Sequence, residues 1–356
     1  MLKNNLIIKK KRIFLLTGSN LIKKKNITLF IEKIKKKSHV KLFIKKNFLP
    51  NIKELIHIVK EIKDYKPNLI IALGGGSIID YCKIANAVCH IKNVSSFLDQ
   101  KVNLKKYTRL LAIPTTIGSG SEVTQGAVMY KNKIKFSLKS PTLLPNNFYL
   151  IPSLIIGSNI QIKKSSLFDV VSQSIESLIS FKSNKISQKY SLNALKIVLK
   201  NYKIFLKKDD IKNIKKMQIA GNFSGRAISI TSTGAPHALS YYLSSHFNIP
   251  HGLAVMTYLP IILKFNLENK EKLTLDKKKK FEYRVGLLKK VFHVKSEIGI
   301  LDGINKIIKN AEFKTSLKSK KINFEKLKKS INISRLKNNP VPIDFFDIKK
   351  INKDIF

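Results

Sequence analysis

The chain has 356 residues, 44% of them apolar, and a formal net charge of +46. That length suits two hydrophobic cores, and that apolar content excludes a disordered chain. The charge is almost all lysine, spread from end to end with only five arginines, which argues against a specific nucleic-acid surface and leaves salt-sensitive adhesion to polyanions. Lysine, isoleucine and asparagine are inflated together, as a strongly A+T-biased coding sequence gives.

At the N-terminus, residues 1–16 (MLKNNLIIKKKRIFLL) break short apolar runs with lysine, and no apolar stretch elsewhere reaches the length of a membrane span. A soluble, cytoplasmic protein without membrane contact is expected. Residues 13–17 (IFLLT) read as a buried strand ending in a turn at Gly18 and Ser19. A helix over 27–37 and a strand over 40–44 follow, then a helix over 52–62. Residues 68–73 (NLIIAL) form a third strand that runs into Gly74-Gly75-Gly76-Ser77. The helix after it holds Cys82 and Cys89, whose spacing suits no metal knuckle, so both read as reduced packing residues. Residues 110–113 form a fourth strand, ending at Pro114-Thr115-Thr116.

Strands alternating with helices predict a parallel sheet in an α/β domain over residues 1–162. Beyond about residue 160 the pattern becomes helical, at roughly 163–181, 185–206, 211–228, 235–246, 253–266, 279–292 and 297–310. An all-α domain over 163–356 is expected, with the run Lys277–Lys280 as a solvated loop.

GGGS between a buried strand and a helix is a phosphate-binding arrangement, because glycine lets backbone approach an anion at a helix N-terminus. A tight structural turn gives the same string. The stretch 114–124 (PTTIGSGSEVT) follows the next strand, and two such loops at neighbouring strand ends favour a nucleotide pyrophosphate. In the helical half, Asp169 and Gln173 share a helix face. His237 falls in the first turn of a helix, and Pro250-His251-Gly252 reads as a turn after it. Asp169, His237 and His251 together make a divalent-cation set. The alternatives are a capping aspartate, a core histidine and a turn histidine that never meet.

GGGSIIDYCK, PTTIGSGSEVT, DVVSQSIES and PHALSYYLSSHFNIPHG stand in the order and spacing of the iron-containing alcohol dehydrogenases, and over nearly its whole length the chain resembles that family. The resemblance implies an N-terminal dinucleotide-binding domain, a helical metal-binding domain, an active site in the cleft between them, and a homodimer. It implies NAD(P)H and Fe²⁺ or Zn²⁺ as cofactors. It maps Asp169, Gln173, His237 and His251 onto the metal ligands. It maps Gly74, Gly75, Gly76, Ser77, Asp80, Thr115, Thr116 and Ser119 onto cofactor contacts. Gln173 stands where most members have a histidine, and a neutral amide oxygen is a weaker ligand. Tyr241 stands where many have a second histidine, and it joins His237 as a catalytic candidate, a phenol able to relay a proton.

Four strings, SQSIES, HALSY, GRAISITST and SRLKNNPV, resemble one branch of the family, the phosphonoacetaldehyde reductases. That branch implies reduction of phosphonoacetaldehyde to 2-hydroxyethylphosphonate, with Arg226 and Arg335 as the cations for the phosphonate. The alternatives are a general short-chain alcohol dehydrogenase or lactaldehyde reductase, and a member that has lost catalysis. Gly18 stands where many members carry an aspartate for the adenosine ribose, which would admit NADPH.

Overall fold

Three apolar runs without a polar face become the middle of a parallel sheet. The computed structural model describes residues 11–47, 50–94, 97–98, 102–131, 134–314, 317 and 320–356, so residues 1–10 of the N-terminal run lie outside the described residues. Strands β1 (Arg12–Gly18), β2 (His39–Lys45), β3 (Leu69–Gly74), β4 (Arg109–Pro114) and the two-residue β7 (Asn147–Phe148) form a sheet in the order β2-β1-β3-β4-β7, with every pair parallel. Helices α1 (Lys25–Lys35), α2 (Ile52–Tyr65) and α3 (Gly76–Val88) connect them.

Because successive strand residues point to opposite faces, the sheet makes two cores. Phe14, Leu16, Ile70, Ala72, Leu110 and Ala112 pack with the apolar stripes of α2 and α3. Ile13, Leu15, Leu69, Ile71, Leu73, Leu111 and Ile113 pack on the other face with Ile27, Ile31 and Ile34 of α1. Cys82 and Cys89 are free and buried in the first of these cores, and burial pushes the Cys89 thiol up to about 12.

A hairpin absent from the sequence expectation follows, β5 (Gly126–Lys131) antiparallel to β6 (Ile134–Lys139). Its strands are short and interrupted by lysine, so they carry little alternation to read. Side chains of α3 hold it. The Asp80 carboxylate accepts from the Val128 N–H, and the Lys83 ammonium donates to the carbonyls of Thr124 and Gly126.

The chain divides into two units, Met1–Ser158 with Asp209–Gln218, and Asn159–Lys208 with Ile219–Phe356. The sequence places a single boundary after residue 162. Beyond residue 159 the described elements are helical: α4 (Ile160–Ile179), α5 (Lys185–Lys207), α6 (Ile211–Thr231), α7 (Ala235–Phe247), α8 (His251–Glu268), α9 (Leu275–Phe292), α10 (Glu297–Asn310), α11 (Phe324–Ser330), α12 (Ile333–Leu336) and α13 (Phe345–Ile355), with a short 3₁₀ turn at Lys270–Lys272. Helix α4 is buried on nearly every side from Ser166 onward and packs against α5 and α8. A third core, with Ala238, Leu239, Tyr242 and Leu243, joins α7 to α8, α11 and α13.

Two local expectations are corrected. The run Lys277–Lys280 is the opening of α9 and not a loop: lysine is a good helix former, and Lys280 pairs with Asp276 one turn away while Lys278 reaches Glu271. His251 is likewise the first residue of helix α8 and not part of a turn, with Pro250 at the N-cap. Among the described residues, no helix is long and apolar enough to cross a membrane.

Candidate active site

The two glycine-rich loops begin side by side because the register pairs Gly74 of β3 with Pro114 of β4. The Thr115 N–H then donates to the Gly74 carbonyl at 3.1 Å. The loops touch closely here: a Cβ on Gly76 would collide with Cβ of Ser119 at 2.7 Å, and one on Gly75 would crowd Cγ2 of Thr116 at 3.3 Å. Helix α3 starts with Gly75 at its N-cap and no side-chain cap, so its first N–H groups keep their hydrogen-bonding capacity for an anion. Gly75, Gly76 and Ser77 are partly exposed there, and the buried Thr115 hydroxyl has no hydrogen-bond partner among the described residues. These features fit a dinucleotide phosphate.

Asp80 does a different job from the glycines. Its carboxylate accepts from the Ser121 hydroxyl at 2.5 Å and from the Val128 N–H at 2.9 Å, holding the second loop and the hairpin. Removal from water pushes this carboxyl above the usual range. The sequence assigns Lys83 no role. It is fully buried, and desolvation, opposed by Asp80 and Glu122, holds it at about 8.

The second constellation is built on α4, α7 and α8. Asp169 lies well inside α4, which begins at Ile160, so it is no N-terminal cap. His237 is in the first turn of α7 and His251 opens α8, and the two rings meet edge to face with centroids 5.3 Å apart. One ligand atom each from Asp169, His237 and His251 falls within 4.8 Å of the others. His237 Nε2 is 3.2 Å from Asp169 Oδ1, while Nδ1 is hydrogen-bonded to Glu176. One oxygen and two imidazole nitrogens suit Fe²⁺ or Zn²⁺, and a carboxylate on the far ring nitrogen is the usual support for a ligating histidine. The residues present fit the metal.

Gly252 makes this convergence possible. A Cβ there would fall 1.8 Å from the Ser165 carbonyl oxygen, so α8 begins against α4 only with a glycine. Gly252, expected in a turn, is helical and serves close approach. Burial alone would lower the basicity of His237, but the charges of Glu176 and Asp169 prevail and hold its pKa above the ordinary value.

The remaining candidates separate. Gln173, one turn beyond Asp169, donates its amide N–H to Asp169 Oδ1 at 2.9 Å, and its oxygen accepts from Ser224 at 3.0 Å. Tyr241 is buried one turn after His237, with its ring centroid 6.2 Å from that of His251. The Arg335 guanidinium lies 5.6 Å over that Tyr241 ring and hydrogen-bonds the Thr233 hydroxyl. Arg226 is not with them: it bonds Asn222 on its own helix and stands over Tyr190 of α5. Glu176 and Ser224 were missed by the sequence reading. Glu176 had a signal, since Asp169, Gln173 and Glu176 at i, i+4 and i+7 share one helix face.

A parallel α/β unit with glycine loops at adjoining strand ends, and a helical unit with a buried carboxylate and two histidines, offer places that a dinucleotide phosphate and a divalent cation would fit. Comparison with known proteins agrees. The model for "Iron-containing alcohol dehydrogenase" matches residues 2–152, and that for "Fe-containing alcohol dehydrogenase family, C-terminal" matches residues 164–356. The chain belongs to the iron-containing alcohol dehydrogenase family.

Among its relatives, a 4-hydroxybutyrate dehydrogenase of Clostridium kluyveri is 31% identical over 60% of this chain and 59% of that protein. A phosphonoacetaldehyde reductase of Streptomyces viridochromogenes is 26% identical over 59% of this chain and 56% of that protein. The match thus spans less than two thirds of these relatives' length. Among solved structures, a sulfoacetaldehyde reductase of Bifidobacterium kashiwanohense in complex with NAD⁺ has a TM-score of 0.85 at 23% identity, covering 98% of this chain and 91% of that one. A mutant of an archaeal alcohol dehydrogenase from a Red Sea brine pool has a TM-score of 0.87 at 18% identity, covering 98% and 93%. These two show the fold.

Proposed function

We propose that this protein reduces an aldehyde bearing an anionic group to the primary alcohol, with phosphonoacetaldehyde, giving 2-hydroxyethylphosphonate, as the first candidate. The observation behind this reading is Arg335. Its guanidinium lies 5.6 Å over the Tyr241 ring, whose centroid is 6.2 Å from that of His251, and it pairs with no carboxylate among the described residues. A guanidinium so placed suits a phosphonate or sulfonate, whose oxygens accept its parallel N–H groups. The relatives named for 4-hydroxybutyrate, phosphonoacetaldehyde and sulfoacetaldehyde share an anionic tail, which supports the same reading.

In this account Asp169, His237 and His251 would hold a divalent cation able to polarise a carbonyl, and the glycine-rich loops would hold a nicotinamide cofactor as the source of hydride. The chain's own residues do the rest. Glu176 orients the His237 ring, Tyr241 offers a phenolic proton, and the loops at Gly74–Ser77 and Thr115–Ser119 hold the dinucleotide phosphates. With glycine and no carboxylate at position 18, NADPH is accepted as well as NADH.

A second reading, a short-chain alcohol dehydrogenase indifferent to charge, draws on Arg226, which lies against Tyr190 and leaves one arginine for the anion where two were expected. Comparing kcat/KM for phosphonoacetaldehyde and butyraldehyde in the wild type and Arg335→Ala separates the two. The proposal expects the phosphonate to be preferred and the substitution to cost roughly 10–100-fold for it alone, the loss of a charge-assisted pair. Equal effects on both aldehydes would favour the second reading.

A further inference from the structure

The resemblance casts Gln173 as a ligand, but its hydrogen bonds assign it another task. The side chain is 3% exposed and has two neighbours at its amide end. Nε2 lies 2.9 Å from Asp169 Oδ1, and Oε1 lies 3.0 Å from the Ser224 hydroxyl. A carboxylate only accepts hydrogen bonds, so the amide edge facing Asp169 is the NH₂ and the oxygen faces Ser224. The Ser224 hydroxyl has one proton, which it shares between Gln173 Oε1 and the Gly221 carbonyl, 2.9 Å away in the preceding turn of α6. To reach a cation, Oε1 would have to leave Ser224 and the NH₂ would have to leave Asp169 Oδ1, giving up two buried hydrogen bonds.

We infer that Gln173 is a positioning residue and not a ligand: it ties Asp169 Oδ1 to Ser224, and the cation is held by three side chains, Asp169, His237 and His251. This rests on the metal reading of that cluster and refines it. Three protein ligands is the number that catalytic zinc sites use, keeping a position open for the reacting oxygen. Replacing the family's usual histidine by glutamine therefore removes one ligand and adds a support for another.

The test is a Co²⁺ titration of the metal-free, full-length protein, reading both affinity and the visible ligand-field bands. The samples are wild type, Gln173→Ala and Ser224→Ala. The inference expects Gln173→Ala to bind about 10–100-fold more weakly while keeping the band positions of the wild type. Ser224→Ala, a mild change unlike the first, weakens binding in the same direction by a smaller factor. Moved bands in Gln173→Ala would show that Oε1 coordinates, and binding by Ser224→Ala as tight as wild type or tighter would show that Ser224 lends no support; either result overturns the inference. Failure of the wild type to take up Co²⁺ would refute the metal reading itself, and that outcome needs no variant to be recognised.

Discussion

Glu176 binds His237 twice over: its carboxylate is hydrogen-bonded to the ring at Nδ1 and accepts the His237 backbone N–H at 3.2 Å. It also accepts the Gly234 N–H at 2.9 Å, so one buried side chain both orients the imidazole and caps the start of α7. Replacing Glu176 by alanine is expected to lower metal affinity about 10–100-fold, the usual cost of losing such a support. It also leaves two buried N–H groups without a partner, at about 1–3 kcal/mol each. Equilibrium dialysis and urea unfolding measure the two effects separately.

The contact of α8 with α4 gives a sharper packing test. Gly252→Ala puts a methyl into the Ser165 carbonyl, which is backbone and cannot turn aside. The expected loss is about 3 kcal/mol or more by urea unfolding, with loss of Co²⁺ binding as His251 is displaced. Gly286→Ala, where an added Cβ meets nothing within 4 Å in mid-helix α9, is expected to stabilise by about 1 kcal/mol.

At the cofactor loops, Gly76→Ala collides with the Ser119 side chain and not with backbone. Cofactor affinity, followed by fluorescence titration with NADH and NADPH, is expected to fall in the single variant. Adding Ser119→Gly removes the obstruction, so the double variant binds better than the sum of the singles, with a coupling of about 0.5–3 kcal/mol. Strict additivity would mean that the two loops do not meet there.

Lys83 supplies a pH dependence. Its folded pKa is about 8 against an ordinary 10.5, because burial penalises the ammonium more than Asp80 and Glu122 favour it. Between these values the unfolded chain binds more protons than the folded one, so the contribution of Lys83 to stability rises with pH from about 8 to 10.5 and is lost as pH falls through 8. The stability difference between wild type and Lys83→Met, measured across that window, is expected to grow in favour of wild type. A flat difference would mean that the three acceptors around Nζ keep the charge in place.

How much of this was legible in the sequence follows from where each signal lies. Strands β1, β3 and β4 are buried on both faces, and unbroken apolar runs announced them. The hairpin GAVMYK/IKFSLK and the two-residue β7 have too few alternating positions to stand out. Helices α11 to α13 are short and polar, yet each carries a readable cap, at Asn323, Asn332 and Asp344. In the site, helical spacing alone groups Asp169, Gln173 and Glu176. The partnerships of Gln173 with Ser224 and of Arg335 with Thr233 and Tyr241 join residues 51 to 102 positions apart through tertiary packing, which periodicity does not record. Nor does it record that Arg226 points to Tyr190.

The central claim is a metal-dependent, nicotinamide-linked aldehyde reduction. It is tested most directly by following nicotinamide absorbance after adding phosphonoacetaldehyde to the full-length protein, metal-stripped or reconstituted anaerobically with Fe²⁺. The account predicts turnover with Fe²⁺ that disappears on stripping and returns when the metal is restored. Bound metal and bound cofactor without turnover of any aldehyde would contradict it, and would identify a member of the family that has kept the site and lost the reaction.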